Sequence, residues 1–223
     1  MAINRFSLGT LFIAAQAFWA GALAQEKAER STTYRIQLSE ISVQSPRSRR
    51  TDTNYAAISV QVGTAAPQTV TRRLGDVGRG TKAVNMSFPQ VVIGPKTRLS
   101  ISWAVVNYGG ERHDAMMRLL RKATEDHVKA ASSETWISQL SDLIAIEDAR
   151  DQRCDGPVLA SSFDIGGAEL ARQLGSGKPL RVTRRQRGLD APRSCTSRSD
   201  YFATVIIVRQ PPMLRRLREP HRG

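Results

Sequence analysis

Apolar and polar residues alternate along much of the chain, beginning with the stretch from residue 34 to residue 63. Tyr34, Ile36 and Leu38 have polar neighbours, the phase slips by one position at Glu40, and the alternation then resumes. A period of two is typical of a half-buried strand with one wet face. The slip predicts a β-bulge, because a register shift would otherwise turn the apolar face outward.

The same pattern recurs, and it predicts about five strands before residue 109, separated by short turn signals. After residue 150 it predicts three more strands, with a helical turn at residues 166–174. Tyr201–Val208 is an apolar run rich in β-branched residues, which predicts a strand buried on both faces. Short strands at regular intervals indicate an antiparallel β-sandwich or a jelly roll.

The pattern changes to helical spacing between Glu111 and Arg150, a stretch without proline or glycine. Its apolar positions predict two amphipathic helices, with Ser132 or Ser133 capping the second. We therefore expect a mainly β fold with an α insertion: an antiparallel, jelly-roll-like β-sandwich that carries a helical hairpin at residues 111–150. The strands on either side of the hairpin must then pair with each other.

The two ends of the chain differ from the predicted domain. Residues 1–24 combine a basic start, an apolar run and Ala22-Leu23-Ala24, the pattern of a cleaved signal peptide. An uncleaved membrane anchor is the alternative, since the run is just long enough to span a bilayer. We expect one domain over residues 25–208, a basic and flexible tail over 209–223, and secretion to an extracellular or periplasmic space.

Cys154 and Cys195 are the two cysteines of the chain. An exported protein with two cysteines can form one intrachain disulfide, and the alternative is a pair of free thiols. The sequence predicts the bridge.

Positive charge is the strongest compositional feature, at a formal net +13. Residues 111–150 hold six basic and eight acidic residues, so the basic surface must lie on the β part and the tail. Anionic polysaccharide, another glycan or a membrane surface could bind it, whereas few aromatic residues lie near the clusters, and we expect no specific nucleic-acid recognition. Solvated loops and a codon bias towards arginine are the alternatives. The predicted anion-binding residues are Arg47, Arg49, Arg50, Arg184, Arg185 and Arg187.

Three polar side chains in predicted loops could hold calcium: Asp52, Asn54 and Asp76. Asp and Asn are also ordinary turn residues, and no EF-hand spacing is present. Apart from calcium we expect no cofactor.

Catalytic patterns are weak. His113 lies beside Glu111 and Asp114, which could form an acid–base group, although acids in a first helical turn more often serve the helix dipole. Asn85 begins an Asn-Met-Ser sequon and is predicted to point outward, so it would be glycosylated in a eukaryotic host.

Two functions remain at this point. The first is a secreted, non-enzymatic binding or interaction protein for an anionic or carbohydrate ligand. The second is a secreted hydrolase that uses carboxylate or calcium-assisted chemistry in loops at one end of the sandwich.

Overall fold

A computed structural model describes residues 31–48, 52–130, 136–147, 154–187, 195 and 199–211. The predicted mainly β fold with a helical insertion is confirmed. Its elements are β1 Thr32–Ser45, β2 Asp52–Val62, β3 Gln68–Val77, β4 Gly80–Ile93, β5 Arg98–Asn107, α1 His113–Ala130, α2 Trp136–Glu147, β6 Gly156–Gly166, α3 Gly167–Gln173, β7 Leu180–Arg187 and β8 Asp200–Arg209.

The strands form two antiparallel sheets of four. Sheet A has the order β4-β1-β8-β7, and sheet B has the order β3-β2-β5-β6. β5 and β6 flank the helical hairpin in the chain and pair directly, from Arg98 opposite Gly166 to Asn107 opposite Gly156. The insertion therefore leaves the sheet continuous, as predicted.

The main core lies between the sheets and follows from the alternation of β1. Tyr34, Ile36 and Leu38 are buried there with their counterparts on the other strands. The predicted bulge is confirmed, because the register of β1 shifts between Leu38 and Glu40 against both β4 and β8.

A second core lies between sheet B and the helical hairpin. Met116 and Leu120 of α1 and Leu140 of α2 pack over Tyr55 and Ala104 of the sheet. The sequence predicted one wet face for β2, and this is wrong, because the helices cover that face.

β8 is less buried than the sequence predicted, whereas β2 is more buried. Tyr201, Ala203 and Val205 are buried in the core, whereas Phe202 and Ile206 on the other face are partly exposed. The two long helices pack against sheet B, so β8 is covered fully on one face and partly on the other.

The predicted disulfide between Cys154 and Cys195 is confirmed, with Cα atoms 5.5 Å apart. A disulfide indicates a non-cytosolic environment. Within the described ranges, no helix is both long and apolar enough to cross a membrane. The predicted signal peptide, the serine cap of the second helix and most of the basic tail lie outside the described residues.

Candidate anion-binding face

The outward surface of sheet A brings basic side chains together. On β7, Leu180 and Val182 point into the core, so the alternate residues point outward. We call the surface formed by the outward residues of β7, β8 and β1 the open face. Its members are Arg35, Gln37, Glu40, Ser42, Arg181, Thr183, Arg185, Arg187, Asp200, Phe202, Thr204, Ile206 and Val208.

Three exposed arginines, Arg181, Arg185 and Arg187, line the β7 side of the open face. Since a strand rises about 3.3 Å per residue, they extend over roughly 20 Å. Arg35 of β1 lies opposite Val208, two strands away from β7. The face thus carries four arginines and only two carboxylates, those of Glu40 and Asp200. Its net charge is therefore positive.

Asp200 interacts with the two arginines at one end of this row. Arg185 donates two hydrogen bonds to its carboxylate, at 2.9 and 2.6 Å, and Arg187 Nε lies 4.0 Å from Oδ2. The hydrogen bond from Arg185 lowers the pKa of Asp200, so the carboxylate is charged at neutral pH. The Arg185 guanidinium also lies 4.9 Å from the centre of the Phe202 ring, a cation–π contact.

Hydroxyl and amide groups lie beside the arginines on the same face. Thr183 shares a hydroxyl hydrogen bond of 3.1 Å with Thr204, and Ser42 Oγ accepts one of 3.2 Å from Thr81. Gln37 Nε2 donates to Asn85 Oδ1 at 2.7 Å. Each of these groups has donor or acceptor capacity beyond its described bond.

The structure separates the residues predicted as one anion-binding set. Arg184 is exposed but lies opposite Ala203 in the inward phase, so it points away from Arg185 and Arg187. Arg47 is 6% exposed, and Arg49 and Arg50 lie outside the described residues.

Arg47 belongs to a buried polar network at one end of the sandwich. Its Nη1 donates to the carbonyl of Pro157 at 3.4 Å, and its guanidinium packs against Gly156, whose φ of +145° suits glycine. Burial lowers the pKa of Arg47, and the carboxylates of Asp52 and Asp155 oppose that effect. The Arg47 side chain therefore packs inside the fold and stabilises it.

Asp52, predicted as a calcium ligand, is fully buried in the same network. Its carboxylate accepts hydrogen bonds from the backbone N–H groups of Arg47 and Ser48, at 2.5 and 2.7 Å, and from Tyr201 Oη at 2.6 Å. Burial, together with the neighbouring Asp52, raises the pKa of Tyr201 far above its usual value. The phenol therefore stays protonated and donates to Asp52.

Asn54 and Asp76 do not complete a calcium site with Asp52. Asn54 is buried beside Asp52 and donates to Tyr201 Oη at 3.2 Å, whereas Asp76 is exposed and accepts from Thr53 Oγ1 at 2.6 Å. Asp76 pairs with Thr53, which lies between the inward-pointing Asp52 and Asn54 on β2. Asp76 is therefore on the opposite face of sheet B. Among the described residues, no group of three His, Cys, Asp or Glu could hold a metal.

His113 begins α1 beside a shallow cavity of about 540 Å³, which Glu111, Asp114 and Arg118 also line. Its Nδ1 lies 2.5 Å from Tyr55 Oη. Burial raises the pKa of Tyr55, so the phenol keeps its proton, and whether it donates to Nδ1 or accepts from it depends on the imidazole tautomer.

Asn85 points outward from β4, as the alternation predicted. It has a φ of +53° and lies opposite the β1 bulge, where β4 has one residue more than its partner. Asparagine is among the residues that tolerate this left-handed conformation.

Sequence reasoning missed Arg35 and Arg181 as members of the basic face. The signal for Arg181 was present, because it shares the phase of Arg185 and Arg187 along β7. Arg35 becomes a neighbour only through the pairing of β1 with β8, which joins segments far apart in the chain.

No family model and no curated protein matches the chain. Human GIVD cytosolic phospholipase A2 in complex with methyl gamma-linolenyl fluorophosphonate is similar at a TM-score of 0.40 and 10% identity, over 82% of this chain and 18% of that one. The C2A domain of a plant extended synaptotagmin 1 is similar at a TM-score of 0.37 and 7% identity, over 81% of this chain and 95% of that one. The chain thus spans about a fifth of the phospholipase's length. Similarity this low carries no argument about function. The fold itself defines an antiparallel β-sandwich with an inserted helical hairpin.

Proposed function

We propose that this protein is an exported, non-enzymatic binding module that holds an anionic ligand on the open face. The observation that carries the proposal is the alignment of Arg181, Arg185 and Arg187 on one exposed side of β7. Guanidinium groups bind carboxylate, sulfate and phosphate in a bidentate way, and neighbouring fields add. Export is part of the proposal, and both the disulfide and the signal-peptide pattern of residues 1–24 support it.

The three arginines lie on a strand that is paired along its whole length, and this supports a binding site rather than a solvated loop. β7 pairs with β8 along its whole length, from Leu180 opposite Ile207 to Arg187 opposite Asp200. The paired strand fixes the backbone at each arginine, so less conformational entropy is lost when a ligand binds.

The hydrolase alternative receives less support. It needs carboxylates that converge, whereas Asp52 is buried against Tyr201 and Asp76 lies on the opposite face of the strand pair.

The test is binding to immobilised heparin and to polyphosphate at increasing salt. Replacing Arg181, Arg185 and Arg187 together by Ser should weaken binding at low salt by about tenfold or more and flatten its salt dependence, because fewer counterions are released. The matched control replaces Arg73, Arg118 and Arg121, exposed on β3 and α1, by Ser. It removes the same charge and should have a much smaller effect. Equal losses in the two variants would show that net charge alone drives retention and would refute the proposed site.

A further inference from the structure

We infer that the ligand of the open face is a linear acidic polysaccharide that lies along β8, between the arginines of β7 and the polar side chains of β1. This inference rests on the proposed function and narrows it to one class of ligand. We call the part of the open face formed by β8, with the β7 arginines on one side and the β1 side chains on the other, the band. Its composition, its shape and the spacing of its charges support the inference.

The band has two polar walls and a mainly apolar floor. β8 lies between β7 and β1 in sheet A, and its outward side chains Phe202, Ile206 and Val208 are apolar and partly exposed, whereas the outward Thr204 is buried. One wall is the arginine row of β7, and the other includes Arg35 of β1. Strands are about 4.8 Å apart, so the walls are separated by roughly 10 Å, about the width of one extended chain.

The second wall offers neutral hydrogen-bonding groups. Gln37 lies opposite Ile206, and Ser42 lies opposite Phe202. Such amide and hydroxyl groups suit sugar hydroxyls, while the apolar floor suits the C–H faces of sugar rings. A simple inorganic polyanion would use the arginines and gain nothing from the floor or the second wall.

The spacing of charge favours a ligand whose anionic groups are separated. Arg181 and Arg185 are four residues apart, about 13 Å along the strand, with neutral Thr183 between them. Glu40 lies opposite Thr204, and Asp200 lies at the Arg187 end, so two stretches of the band repel negative charge. A polyuronate with hydroxyl groups between its carboxylates matches this arrangement better than a dense polyanion.

A bilayer surface fits the band less well. The floor is recessed between long side chains, so a flat membrane would meet guanidinium groups before it reached Phe202 or Ile206. Val92, the most exposed large apolar side chain in the described part of the chain at 58%, lies on the edge strand β4, away from the β7 arginines.

The experiment compares oligogalacturonates of increasing length with polyphosphate and with phosphatidylglycerol vesicles, by calorimetry on the full exported chain. Affinity for oligogalacturonate should rise with length until the chain spans roughly 20 Å and then level off. Replacing Gln37→Leu and Ser42→Ala together should weaken oligogalacturonate binding about fivefold or more and leave polyphosphate binding unchanged. Gln61→Leu on β2 of sheet B is the matched control and should change neither.

The outcomes separate the inference from the proposed function. Loss of all binding in the Arg181, Arg185 and Arg187 variant, with selective loss of oligogalacturonate in the Gln37 and Ser42 variant, supports both. If polyphosphate or the vesicles bind more tightly than oligogalacturonate, or if the Gln37 and Ser42 variant binds like wild type, the polysaccharide inference fails and the anion site stands. Undiminished binding of every probe in the arginine variant overturns both.

Discussion

At the scale of single residues, Asp200 decides how much positive charge the open face offers. Its carboxylate occupies Arg185 through two hydrogen bonds and lies within 4.0 Å of Arg187. Arg181, by contrast, has no acidic partner among the described residues. The row is therefore uneven, with one available guanidinium at one end and an ion-paired cluster at the other.

Asp200→Asn should strengthen anion binding. The substitution removes a negative charge from between two arginines and releases Arg185 to a ligand, and the gain should be about two- to fivefold at low salt, since exposed ion pairs are worth up to ~1 kcal/mol. Binding of oligogalacturonate at low salt measures it. Asp164→Asn, which breaks the 3.0 Å pair with Arg98 on sheet B, removes the same charge and should give a smaller gain. Weaker binding by Asp200→Asn would mean that Asp200 positions Arg185 rather than competing for it.

Local pattern predicts which way a strand residue points, and little more. The alternation placed Asn85 outward correctly, and the same rule assigns Arg185 and Arg187 to one face and Arg184 to the other. It could not predict the role of Asp52, because the phenol that completes its hydrogen bonds is on Tyr201, 149 residues away. An aspartate near a turn has the same local pattern whether it binds calcium or caps a loop.

At the scale of elements, the helical hairpin explains which sheet face is available. Its apolar side covers the outer face of sheet B. β2 is therefore buried on both sides, although its sequence alternates like that of a half-buried strand. The sequence predicted the hairpin, but not the sheet on which it packs, because small residues such as Ala57 and Ala104 suit either a covered or an open face. The open face of sheet A is the remaining outer surface of the sandwich.

The contact between the two helices contains a titratable side chain. His127 of α1 stacks on Trp136 of α2 with ring centres 4.1 Å apart and planes within 8°. Burial lowers the pKa of His127, and the Asp164 carboxylate partly opposes this. The folded state therefore favours the neutral imidazole.

We expect the free energy of unfolding to fall with acidification because of His127. Above the ordinary histidine pKa of about 6.5 the imidazole is neutral in both states. As the pH drops below that value the unfolded chain gains the proton first, so stability declines until the pH reaches the lower pKa of the folded state. Urea unfolding at about pH 7.5 and about pH 5.5 measures the loss. His127→Phe keeps a stacked ring and should show a smaller loss. Identical pH dependence in wild type and His127→Phe would contradict this role.

At the scale of the whole molecule, the helical hairpin covers one outer surface of the sandwich, and the other outer surface carries the proposed binding face. The hairpin side adds a second core, and the other side carries the arginine row. The Cys154–Cys195 disulfide joins the segment before β6 of sheet B to the segment before β8 of sheet A. It therefore links the two sheets. The bridge lies near the buried network of Asp52, because Asn107 Nδ2 donates both to the carbonyl of Cys154 at 2.7 Å and to Ser48 Oγ at 3.4 Å, and the Ser48 backbone N–H donates to Asp52.

Removing the disulfide should destabilise the fold and leave the binding face intact. The cysteines are 41 residues apart, and a loop of that length corresponds to about 4 kcal/mol of unfolding free energy in the chain-entropy model. Urea unfolding of the Cys154→Ala, Cys195→Ala double variant should show a loss of this size, and adding reductant to it should have no further effect. Its affinity for oligogalacturonate should match wild type under conditions where it is folded, because Arg181 and Arg185 are held by the pairing of β7 with β8 and not by the bridge. A stable variant with weakened binding would instead show that the bridged segment contributes to the ligand site.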